Sequence, residues 1–131
     1  KNNDRVYTIS LHGKNNFPFR KKISDYDYGF PDGTKDREYL DKLDRVLGEL
    51  KLVEFDLLFY QAGVDGLAED GLGLLSLTRE GLKKRNEKVF EWSRKKNLPT
   101  LIFMGGGYSI PIEHSVDAFC DLFMAAALRM K

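Results

Sequence analysis

The sequence predicts an α/β domain built on a parallel sheet, on three observations. Two short apolar runs, 55–60 (FDLLFY) and 100–104 (TLIFM), have the length and near-continuous hydrophobicity of strands buried on both faces. Segments with helical periodicity alternate with them, the pattern that lays helices on the faces of parallel strands. A glycine-containing loop directly follows each run, at the carboxyl edge where open parallel sheets bind ligands.

In chain order, residues 5–11 (RVYTISL) form a first predicted strand, rich in β-branched and aromatic residues. Residues 12–35 hold Gly13, Pro18, Gly29, Pro31 and Gly33 and read as one long loop, of the kind that is usually functional. Tyr39, Leu40, Leu43, Val46, Leu47 and Leu50 then recur at helical spacing, with Asp36 and Glu38 in the first turn where the dipole favours anions. After the strand at 55–60, a charged helix starts from Thr78 as N-cap, with Leu82, Val89, Phe90 and Trp92 as its inward positions. Asn97 and Pro99 end it before the strand at 100–104. The last helix carries Pro111 in its first turn and a broad stripe of Ile112, Val116, Phe119, Cys120, Phe123, Met124 and Ala127. Three strands are few for a self-sufficient sheet, so further strands are expected from elsewhere.

The chain has 131 residues, the size of one domain with one modest core. Lys and Arg total 21 against 20 Asp and Glu, so no concentrated basic surface marks it as a nucleic-acid binder. The densest basic cluster, Arg20-Lys21-Lys22, reads as a solvated loop. No apolar run reaches the ~18 residues of a membrane span, and no signal-peptide pattern is present. The single cysteine, Cys120, excludes an internal disulfide and fits a reducing compartment. A cytoplasmic protein without a membrane partner is therefore expected, with Cys120 packed as a thiol on the apolar face of the last helix.

Two stretches carry the chemistry. Gln61–Gly73 (QAGVDGLAEDGLG) offers Asp65, Glu69 and Asp70, and Met104–Ser109 (MGGGYS) offers the Tyr108 phenol on a glycine hinge. A carboxylate and a tyrosine facing one cleft suit chemistry on a carbonyl. The glycine triplet fits neither phosphate-binding pattern: Ile110 stands where G-x-G-x-x-G needs glycine, and no Gly-Lys-Ser/Thr follows. Its glycines instead let the backbone turn sharply and pass close to a substrate. Each residue also has a structural reading. Tyr108 suits a core aromatic with a satisfied hydroxyl, Asp65 and Asp70 suit turn caps, and Glu69 and His114 suit solvated positions. His12 and His114 have no metal-ligand spacing, whereas a catalytic zinc takes three protein ligands. The residues by themselves do not complete an active site.

Taken with Ser10-Leu-His12, Phe17-Pro18 and Leu77-Thr78…Arg85, both in order and in approximate spacing, the two motifs resemble the zinc-dependent histone deacetylase superfamily. The resemblance covers nearly the whole chain and is to the C-terminal portion of a bacterial or class IV type member. It implies the three-layer α/β/α fold with a parallel sheet that the superfamily shares with arginase. It implies Asp70 as a metal ligand, the second aspartate of D-x-L-x-x-D-x-L-G, with Asp65 as its structural companion. Tyr108 is implied as the tyrosine that hydrogen-bonds the substrate carbonyl, and Phe17, Gly106 and Gly107 as parts of the substrate tunnel. Ser10 and Leu11 match a segment that lends oxygens to a structural K+. Zn2+ or Fe2+ is the implied catalytic metal, and an acylated lysine or polyamine-type amine the implied substrate. The family's two active-site histidines and its Asp-x-His ligand pair lie N-terminal to this segment. Residues 1–131 are thus expected to be the C-terminal part of such a domain, inactive without a complementary N-terminal half or a second copy. The alternative is a non-catalytic α/β binding module.

Overall fold

In the computed structural model, which describes residues 3–129, the chain runs β1 (Ile9–Gly13), β2 (Tyr26–Phe30), α1 (Asp36–Glu49), β3 (Leu58–Gln61), α2 (Arg79–Lys95), β4 (Thr100–Phe103) and α3 (Glu113–Arg129). A short 3-10 turn, Leu50–Leu52, extends α1. The expected parallel pairing is present, but among the described residues there are four strands rather than three. They form two separate parallel pairs, β1 on β2 and β3 on β4.

The additional strand, β2, lies inside the stretch read as a loop. Its sequence, Tyr-Asp-Tyr-Gly-Phe, alternates aromatic with polar or small residues in the period-2 manner of a half-buried strand, and β1 pairs with it from Ile9↔Tyr26 to Gly13↔Phe30. The Asp25 carboxylate clasps the entry, accepting from Thr8 N at 2.9 Å and Thr8 Oγ1 at 2.7 Å. This junction also explains why β1 starts at Ile9, four residues later than propensity suggests. Likewise β3 starts at Leu58, where pairing with β4 begins, and not at Phe55.

The first two helices follow the sequence pattern. Tyr39, Leu43 and Val46 are buried on α1, and Leu50 continues the stripe. Thr78 caps α2, its Oγ1 accepting from Gly81 N at 3.0 Å. Asp36 does more than favour the α1 dipole. Its carboxylate accepts from Thr78 N at 2.8 Å and Thr78 Oγ1 at 2.6 Å, tying the two helix starts together. Leu82, Val89 and Phe90 face inward from α2. Trp92 is half-buried, its Nε1 donating to Leu47 O at 3.2 Å. Asn97, at φ 52°, turns the chain after α2.

The last helix departs from expectation. It begins at Glu113, two residues beyond Pro111, and buries Ser115, Ala118 and Leu122. Val116, Phe123, Met124 and Cys120 face outward, so the expected stripe is largely exposed and the Cys120 thiol is not packed. Ser115 is drawn in by its hydrogen bonds to Ser109 and Ala118 by the core cluster beneath it, and ion pairs from Arg79 to Asp117 and Asp121 fix the register against α2. Tyr60 and Ile102 pack beneath the β3–β4 pair against Phe90, Phe119 and Leu122. The opposite face of the pair, with Phe59, Leu101 and Phe103, is exposed. Among the described residues no helix is long and apolar enough to cross a membrane.

Loss of the α2 cap in Thr78→Ala is expected to cost about 1 kcal/mol in urea denaturation, with Thr78→Ser near wild type. The hydrogen bond from Arg79 holds the Asp121 carboxyl below the usual carboxylate range. With the folded pKa depressed, that stabilisation is full above the unfolded pKa and is lost as pH falls through the folded one. Urea midpoints of wild type and Arg79→Gln are expected to differ at neutral pH and to converge in acid. A gap that survives acidification would contradict the ion-pair assignment.

Candidate active site

Two loops leave the carboxyl ends of β3 and β4 and cross where neither can carry a side chain. A Cβ on Gly105 would lie 2.8 Å from Gly63 Cα, and one on Gly63 would lie 3.2 Å from Gly106 N; within the first loop, one on Gly73 would lie 1.8 Å from Asp65 O. Backbone hydrogen bonds stitch the crossing: Val64 N and Asp65 N donate to Gly106 O at 2.7 and 3.1 Å, and Gly71 N donates to Tyr108 O at 2.9 Å. Farther along, Ser109 N donates to Ser115 Oγ at 3.2 Å, and Ser115 Oγ donates to Ser109 Oγ at 2.8 Å, pinning the second loop to α3.

Asp70 is the centre of this arrangement and is 9% exposed. Its Oδ1 accepts from Leu72 N at 2.9 Å and Gly73 N at 2.7 Å, shaping its own loop. Its Oδ2 accepts from Tyr108 N at 2.6 Å, reaching the other loop. The sequence offered Asp70 as cap or ligand, and the cap is present in full. An ionised carboxylate has about four acceptor positions, so three N–H groups leave one on Oδ2 for a further ligand. The donor set therefore fits a metal at one corner. Among the described residues no three His, Cys, Asp or Glu side chains converge to complete it.

Tyr108 is 62% exposed, so it is no core aromatic. Its main chain is held by Asp70 while its ring projects outward. Asp65 lies beside Gly106 and Gly63. Although the residue keeps an exposed side, crowding pushes its carboxyl above the usual range, with the Asp70 charge adding to the rise and its own backbone hydrogen bond and Arg85 opposing it. Gly107 packs against Val64, Ser115 and Phe119, where a Cβ would meet Val64 Cγ2 at 2.5 Å. Glu69 and His114 are exposed, as expected.

Leu11 and His12 of β1 line a cavity of about 90 Å³ together with Asp65 and Arg85, so the structure brings Leu11 to the first loop. Ser10 stands beside them, its Oγ 2.9 Å from His12 Nδ1. Phe17 is 83% exposed and meets Phe19 edge to face. The loop that carries it is fastened to the Asp70 loop, because Asn16 Oδ1 accepts from Leu74 N at 3.1 Å. Lys21 is not solvated as expected. Its ammonium turns inward and donates to the carbonyls of Lys14, Asn16 and Pro18, leaving Arg20 and Lys22 outside. A larger concavity of about 600 Å³ runs along α1 past Lys35, Glu38 and Asp41 and contains none of the motif residues.

Sequence reasoning passed over Asn86 and Ser115 and noted Arg85 only as part of the family resemblance, without a role. Buried Arg85 donates from Nη1 to Gly63 O at 2.7 Å and from Nη2 to Ala62 O at 3.4 Å. Its Nε and Nη2 also donate to Asn86 Oδ1 at 3.2 and 3.0 Å. The Tyr60 hydroxyl donates to the same oxygen at 2.7 Å, and burial pushes the Tyr60 pKa up to about 12. The available signal was a charged residue standing between Leu82 and Val89 on the inward stripe of α2.

Residues 1–123 match the model of the histone deacetylase domain. An uncharacterized protein of Picosynechococcus is 39% identical over 122 residues, which are 92% of this chain and 41% of that protein. Histone deacetylase 2 of Arabidopsis thaliana is 37% identical over 110 residues, 80% of this chain and 28% of that protein. The chain thus spans less than half the length of these relatives. Among solved structures, the acetylpolyamine aminohydrolase of Burkholderia pseudomallei superposes with a TM-score of 0.77 at 22% identity, over 92% of this chain and 37% of that one. A histone deacetylase homologue solved with SAHA gives 0.76 at 24% identity, over 95% and 36%. These two likenesses show the deacetylase-type α/β fold.

The glycines make separable predictions. Gly48 on α1 has open space around it, so Gly48→Ala is expected to raise stability by about 0.5–1 kcal/mol. Gly73→Ala drives a methyl into the Asp65 carbonyl and is expected to lower stability by roughly 1–3 kcal/mol. Equal urea midpoints for the two variants would contradict the close turn of the first loop on itself at Gly73.

Proposed function

Because the chain belongs to the histone deacetylase family, we propose that it supplies part of a metal-dependent amide-hydrolase site that removes an acetyl or other acyl group from an acylated lysine or polyamine-type amine. The observation that carries this reading is the hydrogen bond from Tyr108 N to Asp70 Oδ2. It fixes the phenol-bearing loop against a buried carboxylate that keeps an acceptor position to spare. The activities for which two similar proteins are named, histone deacetylase and acetylpolyamine aminohydrolase, support the two substrate classes.

In this reading Asp70 is one metal ligand, and the zinc or iron it helps hold would, when bound, polarise the amide carbonyl and acidify a water. Tyr108 donates its phenolic hydrogen to the carbonyl oxygen, most strongly as negative charge builds there. An exposed ring on a fixed main chain suits this task, since the hydroxyl has to meet a substrate and not a core partner. Gly106 and Gly107 keep the wall beside the phenol free of side chains. Phe17, at the rim, offers an apolar surface to the substrate's methylene stem. Asp65 supports the Asp70 loop, and Ser10 and Leu11 lend oxygens to a K+. The remaining ligands and the proton-transfer histidines come from a complementary N-terminal segment; a second copy, which lacks them, would cover the open apolar face only.

Two variants, each assembled with the complementary segment, separate the roles. Tyr108→Phe is expected to lower kcat by about 10²–10³ with metal content retained. Asp70→Asn keeps an acceptor for Leu72 N and Gly73 N but turns its NH2 on the Tyr108 amide as well as weakening the metal ligand, so metal content and kcat should both fall, with metal content alone recovering in excess zinc. Normal turnover by Tyr108→Phe would remove the role given to that phenol.

A further inference from the structure

We infer that Arg85 is the positioning residue of this site: from beneath, its guanidinium holds the exit of β3 so that the Asp70 carboxylate and the Tyr108 amide meet. The inference rests on the proposed function only in naming these two loops as the site.

Arg85 is 7% exposed, and among the described residues its guanidinium donates to carbonyl and amide oxygens and to no carboxylate. Burying a cation without an ion-pair partner is costly, and an apolar residue of similar volume is often as stable or more so. Between Leu82 and Val89, a methionine or leucine would continue the inward stripe of α2. Packing alone therefore does not account for an arginine there. What only a forked donor does is grip two successive carbonyls, and Arg85 grips those of Ala62 and Gly63 where the strand ends.

That point needs an external brace. Gly63 abuts Gly105, so neither of these residues can lock the crossing with a side chain, and the side chains that join the loops, Val64 on Gly107 and Asp70 on Tyr108 N, lie farther along. The next two residues, Val64 and Asp65, both donate to Gly106 O, and two residues beyond Gly106 the Tyr108 amide donates to Asp70 Oδ2. A shift of the Gly63 carbonyl passes along this short path to the amide that orients Tyr108. Asn86 holds the fork in turn, its Oδ1 shared by Arg85 and the Tyr60 hydroxyl.

Amide hydrogen exchange of the chain as purified, with any copurifying segment, tests this in wild type, Arg85→Lys, Arg85→Met and Val89→Ala. In Arg85→Met the amides of Val64, Asp65 and Tyr108 are expected to exchange at least about tenfold faster, the factor set by loss of a charge-assisted hydrogen bond, while those of Val89 and Phe90 hold. Arg85→Lys, with the charge but not the fork, should fall between. Val89→Ala should loosen α2 and spare the three loop amides. Uniform acceleration throughout Arg85→Met, or unchanged exchange at Val64, Asp65 and Tyr108, would overturn the inference. Should Arg85→Met not fold, Arg85→Lys decides by the same two patterns. Exchange needs neither metal nor turnover, so a failure of the proposed chemistry would leave this result readable.

Discussion

One carboxylate holds the two loops of this site in register. Asp70 accepts from the backbone of its own turn with one oxygen and from Tyr108 with the other. Charge-assisted hydrogen bonds of this kind are stronger than neutral ones, and here they are nearly withdrawn from solvent. The surrounding features follow from the need to bring the loops that close. Glycines stand where backbones touch, two amides converge on Gly106 O, and paired serines anchor the far end to α3. A side chain that folds its own turn while keeping an acceptor position free can serve structure and metal binding together.

How much of this was legible in the sequence differs by element. The α1 and α2 stripes and the Thr78 cap were, because helical periodicity and capping are local properties of the chain. The adjacency of the two motifs followed from placing both at carboxyl ends of parallel strands. β2 was missed although Tyr26, Tyr28 and Phe30 alternate with Asp27 and Gly29, because five residues set among glycines and prolines are a short signal until β1 pairs with them. The α3 face was misread for a related reason. Hydrophobicity ranks Phe123 and Met124 above Ser115 and Ala118, but Ser115 is drawn in by its hydrogen bonds to Ser109 and Ala118 by the core cluster beneath it, and Cys120 turned outward with the rest. Arg85 drew notice only as part of a resemblance, because no local pattern reveals a charge aimed at carbonyls 22 and 23 residues earlier in the chain.

The uncovered apolar faces bear on the proposed assembly. Parallel sheets are ordinarily covered on both sides, yet Phe59, Leu101 and Phe103 lie open on one side of β3–β4. The chain also spans 41% or less of the relatives described above. An exposed sheet face and a single proposed metal ligand are the two signs of one proposed requirement, a further segment that supplies both cover and ligands.

The most direct measurement is zinc stoichiometry and acetyl-lysine hydrolysis of the purified material, with every polypeptide counted by intact mass. A site shared across segments predicts about one zinc and measurable hydrolysis only when a second segment accompanies this chain. Zinc-dependent hydrolysis by the 15.0 kDa chain alone would contradict it.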